Sequence, residues 1–264
     1  MREYIAFDSH KHYTLVERQE VESGRGRYDR VAHTAGALRG YLAGCERGTG
    51  VAVEATGNWY WIIEEIEQAG LRPWLVHPRK AKLMMGLINK TDKLDAHGLN
   101  QLQRNGTLPV VWIPPAALRD LRELTRTRLV LAQQRTRLKN RLTATLAKYG
   151  LGVKASDAYG VGARAELERQ IDRLPPQTRW VSQQVLAQLD FVQRQIGEVE
   201  GRLEELVEAT PEMQRLMSLP GIGVILAATI ALEVGEITRF PSAAHLASYA
   251  GTTPRVHASG GQVR

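Results

Sequence analysis

Seven apolar residues, Val185, Leu189, Val192, Ile196, Val199, Leu203 and Leu206, follow one another at alternating spacings of four and three. That is the seam of a heptad repeat, and a chain carrying it forms a long helix that buries the seam against a partner. The partner is read upstream, where Leu121, Leu124, Leu131, Leu138 and Leu142 keep a looser version of the spacing. Arg128 and Arg135 fall on that second seam, so its packing is expected to be less regular. Gly150 to Gly162 and Pro175-Pro176 lie between the arms and read as connection. An antiparallel coiled-coil arm over residues 114–210 is the expectation.

Charge is divided unequally between the arms. From Arg119 to Lys148 there are nine Lys/Arg against two acids, a balance of +7 that equals the net charge of the whole 264-residue chain. From Gly162 to Glu208 the sign reverses, with six Arg against nine acids. A basic helix pairing with an acidic one explains this, and so does a surface for a polyanion. A sequence pI near 9.7 favours a polyanionic partner. The single Cys45 excludes an internal disulfide, and MREYIAFDSH contains no apolar signal core. No apolar run approaches membrane-spanning length. The expectation is a soluble, cytoplasmic protein that does not span a membrane.

Before Ile113-Pro114-Pro115 the pattern differs. Tyr4 to Asp8 reads as a strand and Tyr13 to Arg18 as its hairpin partner, followed by a helix-like stretch from Val31 to Glu46. Val51 to Glu54 and Pro73 to Val76 read as strands, and Trp59 to Ala69 and Asp92 to Arg104 as helices. This alternation makes residues 1–113 an α/β domain with a mixed sheet. Residues 211–264 form a third, all-α zone. It has a Leu219-Pro220-Gly221-Ile222-Gly223 turn, helices from Val224 to Val234 and Ser242 to Ala250, and a tail rich in Gly, Ser and Thr.

Four acids carry the chemistry. Asp8 and Glu54 each end an apolar strand, and Asp92 and Asp95, three apart, share a helix face. Brought together, such carboxylates repel unless a cation neutralises them, and two Mg²⁺ ions would do so while bridging a phosphate. The competing reading is four unrelated surface acids. Arg79, Lys80 and Lys82 are phosphate contacts or a solvated helix face. Gly221 and Gly223 sit in a turn resembling that of a helix-hairpin-helix, where freed N–H groups hold a DNA phosphate; a packing turn is the alternative. His10 and His12 lack the further ligands a zinc site needs and read as exposed or substrate-adjacent. Trp59, Tyr60, Trp61 and Trp74 read mostly as core.

Several segments together carry a family resemblance. Ile5-Ala6-Phe7-Asp8, Val53-Glu54-Ala55-Thr56-Gly57-Asn58-Trp59-Tyr60, His77-Pro78 and Lys90-Thr91-Asp92-Lys93-Leu94-Asp95-Ala96 resemble the DEDD transposases of the insertion sequence one-ten (IS110-type) family. That family includes Piv-type DNA invertases and bridge-RNA-guided recombinases. Leu219 to Gly223, Phe240-Pro241-Ser242-Ala243 and Tyr249-Ala250-Gly251 are similar to its second domain. The resemblance implies a RuvC-like (RNase H-type) first domain with Asp8, Glu54, Asp92 and Asp95 as ligands for Mg²⁺. It implies a serine nucleophile forming a phosphoserine link to DNA, matched here by Ser259 in Ala258-Ser259-Gly260-Gly261. It further implies DNA as substrate, a structured non-coding guide RNA, a dimer or tetramer, and a place at the nucleoid of a bacterial cytoplasm. The basic arm, through Arg128, Arg135, Arg137, Lys139 and Arg141, is where part of the RNA contact is expected. Family members continue past this serine with a basic helical segment, so the C-terminal zone is expected to be truncated. A hydrolytic Holliday-junction-type nuclease without need of Ser259, and a nucleic-acid-binding copy with impaired catalysis, are the alternative functions.

Overall fold

In a computed structural model of the chain, the described residues are 3–86 and 91–253, with the backbone of Ala258, Ser259, Gln262 and Val263. They fall into two compact units, divided along the chain between Ile113 and Pro114. No helix among the described residues is long and apolar enough to cross a membrane.

In the first unit β1 (Glu3–Ser9) and β2 (Tyr13–Glu20) form a hairpin, and β3 (Gly26–Ala32) pairs antiparallel with the far side of β2. After α1 (Ala37–Leu42) the chain places β4 (Gly50–Glu54) parallel to β1; after α2 (Trp59–Gln68) it places β5 (Arg72–Val76) parallel to β4. The sheet order is β3-β2-β1-β4-β5. Two further helices follow, α3 (Pro78–Met85) and α4 (Asp92–Arg104). Strand side chains alternate between faces. Ile5, Phe7, Val16, Val51 and Val53 point to one face, where they bury Leu38 and Leu42 of α1 and Ile62, Ile63 and Ile66 of α2. Ala6, Ala52 and Val76 point to the other, against Ala81 of α3 and Leu99 and Leu102 of α4. Burial on both faces explains why β4 reads as a continuous apolar run. Three antiparallel strands followed by two parallel ones are consistent with a RuvC-like fold.

The helix expected from Val31 to Glu46 is a strand followed by a short helix. β3 is an edge strand whose residues are mostly polar, so no two-residue alternation marks it, and Val31 alone enters the core. Gly24 at φ 68° makes the turn into β3, and Gly36 at φ 72° holds the helix start back to Ala37. The start of α3 is set by Pro78 at its first position and by His77, whose Nδ1 accepts the Lys80 N–H at 3.4 Å.

In the second unit α5 (Ala116–Lys148) and α7 (Pro176–Leu206) run antiparallel, with Arg128 against Glu200, Arg135 against Gln193 and Tyr149 against Thr178. The seam residues Val185, Leu189, Val192, Ile196 and Leu203 are buried; Val199 is half-buried and Leu206 is exposed. Leu138, Leu142 and Leu146 face them, and α6 (Arg164–Asp172) adds Leu167 and Ile171 to the same core.

The first half of α5 packs differently. Its buried positions are Arg119, Arg122 and Thr125, while Leu121 and Leu124 are half-buried. Here α5 lies against α9 (Val224–Val234), which follows α8 (Pro211–Met217). Arg122 donates from Nε to the Leu232 carbonyl and from Nη2 to the Glu233 carbonyl, both at 2.8 Å. Carbonyls at a helix end have no partner within the helix, so a buried arginine supplies it. Arg126 grips the Glu233 carboxylate at 2.8 and 3.1 Å, and Tyr249 of α10 (Ala243–Tyr249) donates to the Glu233 carbonyl at 3.1 Å. Because α5 packs on both α7 and α9, the arm and the C-terminal helices share one unit. The two short strands β6 (Ala258–Ser259) and β7 (Gln262–Val263) pair antiparallel.

Arg122→Met strips the α9 carbonyls of a charged donor in a buried setting, which costs about 2 kcal/mol or more. Urea unfolding is expected to show that loss, while Arg137→Ala on the exposed side of α5 stays within about 0.5 kcal/mol of the parent.

Candidate metal centre

The parallel strands β1, β4 and β5 all end at one end of the sheet. Phe7 lies opposite Val53, so Asp8 and Glu54 are the next residues on adjacent strands. Ala6 and Ala52 face α4, and side chains repeat every second residue, so Asp8 and Glu54 project to the α4 face as well. The Thr91 hydroxyl accepts the Leu94 N–H at 3.3 Å and starts α4 at Asp92. Asp92 and Asp95 thereby occupy the first turn, where the helix dipole favours carboxylates.

The result is a tight group of ligand atoms. A carboxylate oxygen of Asp8, one of Asp92 and a ring nitrogen of His10 lie within 4.8 Å of one another. His10 Nε2 is 3.0 Å from Asp8 Oδ2 and 3.1 Å from Asp92 Oδ2. Tyr13 donates its hydroxyl to the same Asp92 oxygen at 3.0 Å, and its ring stacks on His10 at 4.6 Å. Asn58 donates to the His10 carbonyl at 2.9 Å, and the Thr56 hydroxyl holds Asn58 at 2.9 Å. Burial raises the Asp8 pKa above the ordinary carboxylate value; His10 opposes this, while Asp92 and Asp95 add to it. Asp95 is therefore felt electrostatically inside the cluster. Glu54 is half-buried at the end of β4. Metal–ligand bonds of roughly 2.0–2.6 Å let one divalent cation touch ligand atoms at this separation, so the donor set fits such an ion.

His10 was expected to be exposed or beside the substrate. The β1–β2 turn, closed by the His10 N–H on the Tyr13 carbonyl at 2.9 Å, folds it back, half-buried, onto the two aspartates. Glu17 carries no motif that singles it out in the sequence. It is fully buried on β2 and accepts from Tyr28 Oη and His97 Nδ1 at 2.8 Å and from Asn100 Nδ2 at 2.9 Å. A Cβ on Gly26 would stand 2.6 Å from its Oε1, so glycine there leaves room for the carboxylate. These bonds tie α4 to β2 just beyond Asp95. The available signal was an acid set among the apolar residues of a strand, Leu15-Val16-Glu17.

The remaining candidates are dispersed. Arg79, Lys80 and Lys82 are exposed on α3, which begins where β5 ends, at the same end of the sheet as Asp8. Gly221, at φ 88°, and Gly223, which caps α9, are exposed in the α8–α9 turn. On α5, Arg128 is paired with Glu200 at 2.8 Å, Arg135 bonds Gln193 at 3.3 Å, and Lys139 lies 3.8 Å from Asp157. Arg137 and Arg141 are exposed and make no ion pair among the described residues. Arg164 engages Glu168 and Asp190, Arg169 engages Glu166, and Arg202 engages Glu205, so many of the later acids are neutralised by their own arginines. Pairing of α5 with α7 thus leaves much of the basic surplus unspent. Ser259 lies in β6 opposite Gln262; its side chain, like residues 87–90 with Lys90, falls outside the described residues.

A family model described as a transposase, the DEDD domain of the IS110 type, matches residues 7–150. A second, described as the transposase IS116/IS110/IS902 family, matches residues 213–264. The chain belongs to the IS110-type DEDD transposases. It is 26% identical over 219 residues to a probable family 20 transposase of Pseudomonas aeruginosa, covering 81% of this chain and 64% of that relative. It is 26% identical over 214 residues to the transposase for insertion sequence element IS1111A of Coxiella burnetii, covering 80% and 58%. A shorter stretch of 69 residues, 25% of this chain and 21% of the relative, is 38% identical to a pilin gene-inverting protein of Moraxella bovis. The chain thus spans about three fifths of the length of the first two relatives. The DEDD domain implies use of a divalent metal.

Neutralising Asp8 relieves a charge that its burial and its acidic neighbours disfavour. Asp8→Asn is therefore expected to melt at or above the temperature of the metal-free parent. It is also expected to lose the rise in melting temperature produced in the parent by Mn²⁺, whose binding stabilises the fold by about 2.7 kcal/mol at a hundredfold excess over the dissociation constant. A parent-like rise in the variant would remove Asp8 from the centre.

Proposed function

We propose that this chain cuts and rejoins DNA as a transposase, with two Mg²⁺ ions held by Asp8, Glu54, Asp92 and Asp95. The observation that carries the reading is the meeting of Asp8 and Asp92, far apart in sequence, at one sheet end in a member of this family. His10 joins them as a further nitrogen donor to the ion, or as the group that spans the carboxylates before it binds. Bound Mg²⁺ supplies charge neutralisation at the phosphate and an activated hydroxyl nucleophile. The protein's own residues orient the reaction: Tyr13 fixes the Asp92 carboxylate and Asn58 fixes the turn that carries His10.

Ser259 is the proposed nucleophile. Its Oγ forms an ester bond to phosphorus while a deoxyribose oxygen leaves and takes up a proton, and rejoining runs the same exchange in reverse. Arg79, Lys80 and Lys82 suit the DNA backbone approaching this end of the sheet. Gly221 and Gly223 offer backbone N–H groups at the start of α9 to a second phosphate. The exposed Arg137 and Arg141 support RNA contact along α5; Arg135, whose partner Gln193 is neutral, adds charge to it, and Arg128 and Lys139 would join by exchanging Glu200 and Asp157 for phosphates. The full reaction is assigned to a homo-oligomer guided by a structured RNA.

The test combines the chain with supercoiled DNA, Mg²⁺ and any RNA that copurifies with it. A covalent protein–DNA adduct is expected on denaturing gels, absent in Ser259→Ala. Asp92→Ala is expected to lose cleavage by more than the roughly 10–100-fold typical of residues that merely orient metal ligands. Nicking that persists in Ser259→Ala without an adduct supports hydrolysis instead. Full cleavage by Asp92→Ala contradicts the metal site.

A further inference from the structure

We propose that Arg30 holds a backbone phosphate of the DNA strand that lies beside the metal centre, with Tyr13 presenting it for that contact. The inference rests on the DNA-processing reading above and adds a residue to it.

Strand register makes the first argument. Asp8 pairs with Leu15, and Leu15 pairs with Arg30, so acid and cation stand in one row across β1, β2 and β3 and on one face of the sheet. Two strand spacings, about 10 Å, separate them. A DNA strand carries one phosphate at every nucleotide, so a separation of this size is spanned by near neighbours along the strand. A strand whose reacting phosphate sits at Asp8 and Asp92 can therefore place a neighbouring phosphate over Arg30.

The second argument is how the guanidinium is held. It lies 3.7 Å from the centroid of the Tyr13 ring, and the hydroxyl of that ring donates to Asp92 Oδ2 at 3.0 Å. One phenol thus separates the cation from a carboxylate of the centre. Stacking on an aromatic face fixes the plane of a guanidinium while leaving its N–H donors available.

The third argument is what Arg30 does not do. It is exposed and, among the described residues, forms no ion pair. The nearby Asp29 is taken by Arg27 at 2.9 Å and by the Tyr41 hydroxyl at 2.5 Å, on the opposite face of the strand. The planar fork therefore keeps the geometry that matches a phosphate in a bidentate manner.

The test uses the full chain and a labelled DNA duplex titrated over a range of KCl, alongside Mn²⁺ binding in the absence of DNA. Arg30→Gln is expected to reduce the slope of log affinity against log salt by about 0.9, one phosphate contact. Its Mn²⁺ affinity should equal that of the parent. Arg30→Lys should keep the slope and recover part of the affinity. Parent-like slope and affinity in a folded Arg30→Gln would overturn this inference while leaving the transposase reading standing. So would an Mn²⁺ affinity that falls in step with DNA affinity, because Arg30 would then act through Tyr13 and Asp92. A parent chain without affinity for DNA would overturn both.

Discussion

Helix α4 can lie on the sheet because the residues beneath and beside it are small. Ala6, Ala52, Ala81 and Ala96 are all fully buried, and Leu99 and Leu102 fill the space further along the helix. Larger side chains at Ala6 or Ala52 would lift α4 and carry Asp92 and Asp95 away from Asp8. The seat must also withstand the charges it gathers. Two like charges 4 Å apart at an effective dielectric near 20 repel by about 4 kcal/mol. Burial of two leucines returns roughly 1.5–3 kcal/mol each, and the Glu17 carboxylate, with its three donors, adds hydrogen bonds at the β2 side. Packing and hydrogen bonding are thus of the same size as the repulsion of one carboxylate pair, and a cation bound there would relieve that repulsion.

The second unit solves a different problem with the same economy of parts. α5 meets α7 through leucines over its second half and meets α9 through arginines over its first half. Arg122 and Arg126 are consumed in closing the end of α9 and pairing Glu233, so they belong to the fold and not to a nucleic-acid surface. Positive charge that remains available lies further along the helix, at Arg137 and Arg141. A charge count over the whole helix mixes these two groups, although their surroundings differ completely.

How much of this was legible in the sequence depends on the range of the forces involved. α4 and α9 were legible to the residue, since Thr91 and the glycine at 223 mark their starts and apolar spacing marks their course. Strands β1, β4 and β5 were legible because burial on both faces makes them apolar. β3 was not, because an edge strand with polar side chains carries no period of two. Asp8, Glu54, Asp92 and Asp95 could be nominated from strand ends and helix spacing, but the meeting of Asp8 with Asp92 depends on α4 packing across β1, which no local signal encodes. The contact of His10 with both aspartates and the burial of Glu17 were not legible for the same reason: a turn folds the first back, and His97 and Asn100, some eighty positions away, bond the second. Ser259 stands apart, since only the family resemblance nominated it.

The central claim is that α4 and the ends of β1 and β4 form a divalent metal centre. Anomalous diffraction from crystals of the full chain grown with MnCl₂ tests it most directly. The account predicts a peak bonded to both the Asp8 and Asp92 carboxylates. Saturating Mn²⁺ with no peak between those two residues, or with ions only at unrelated acids, would contradict it.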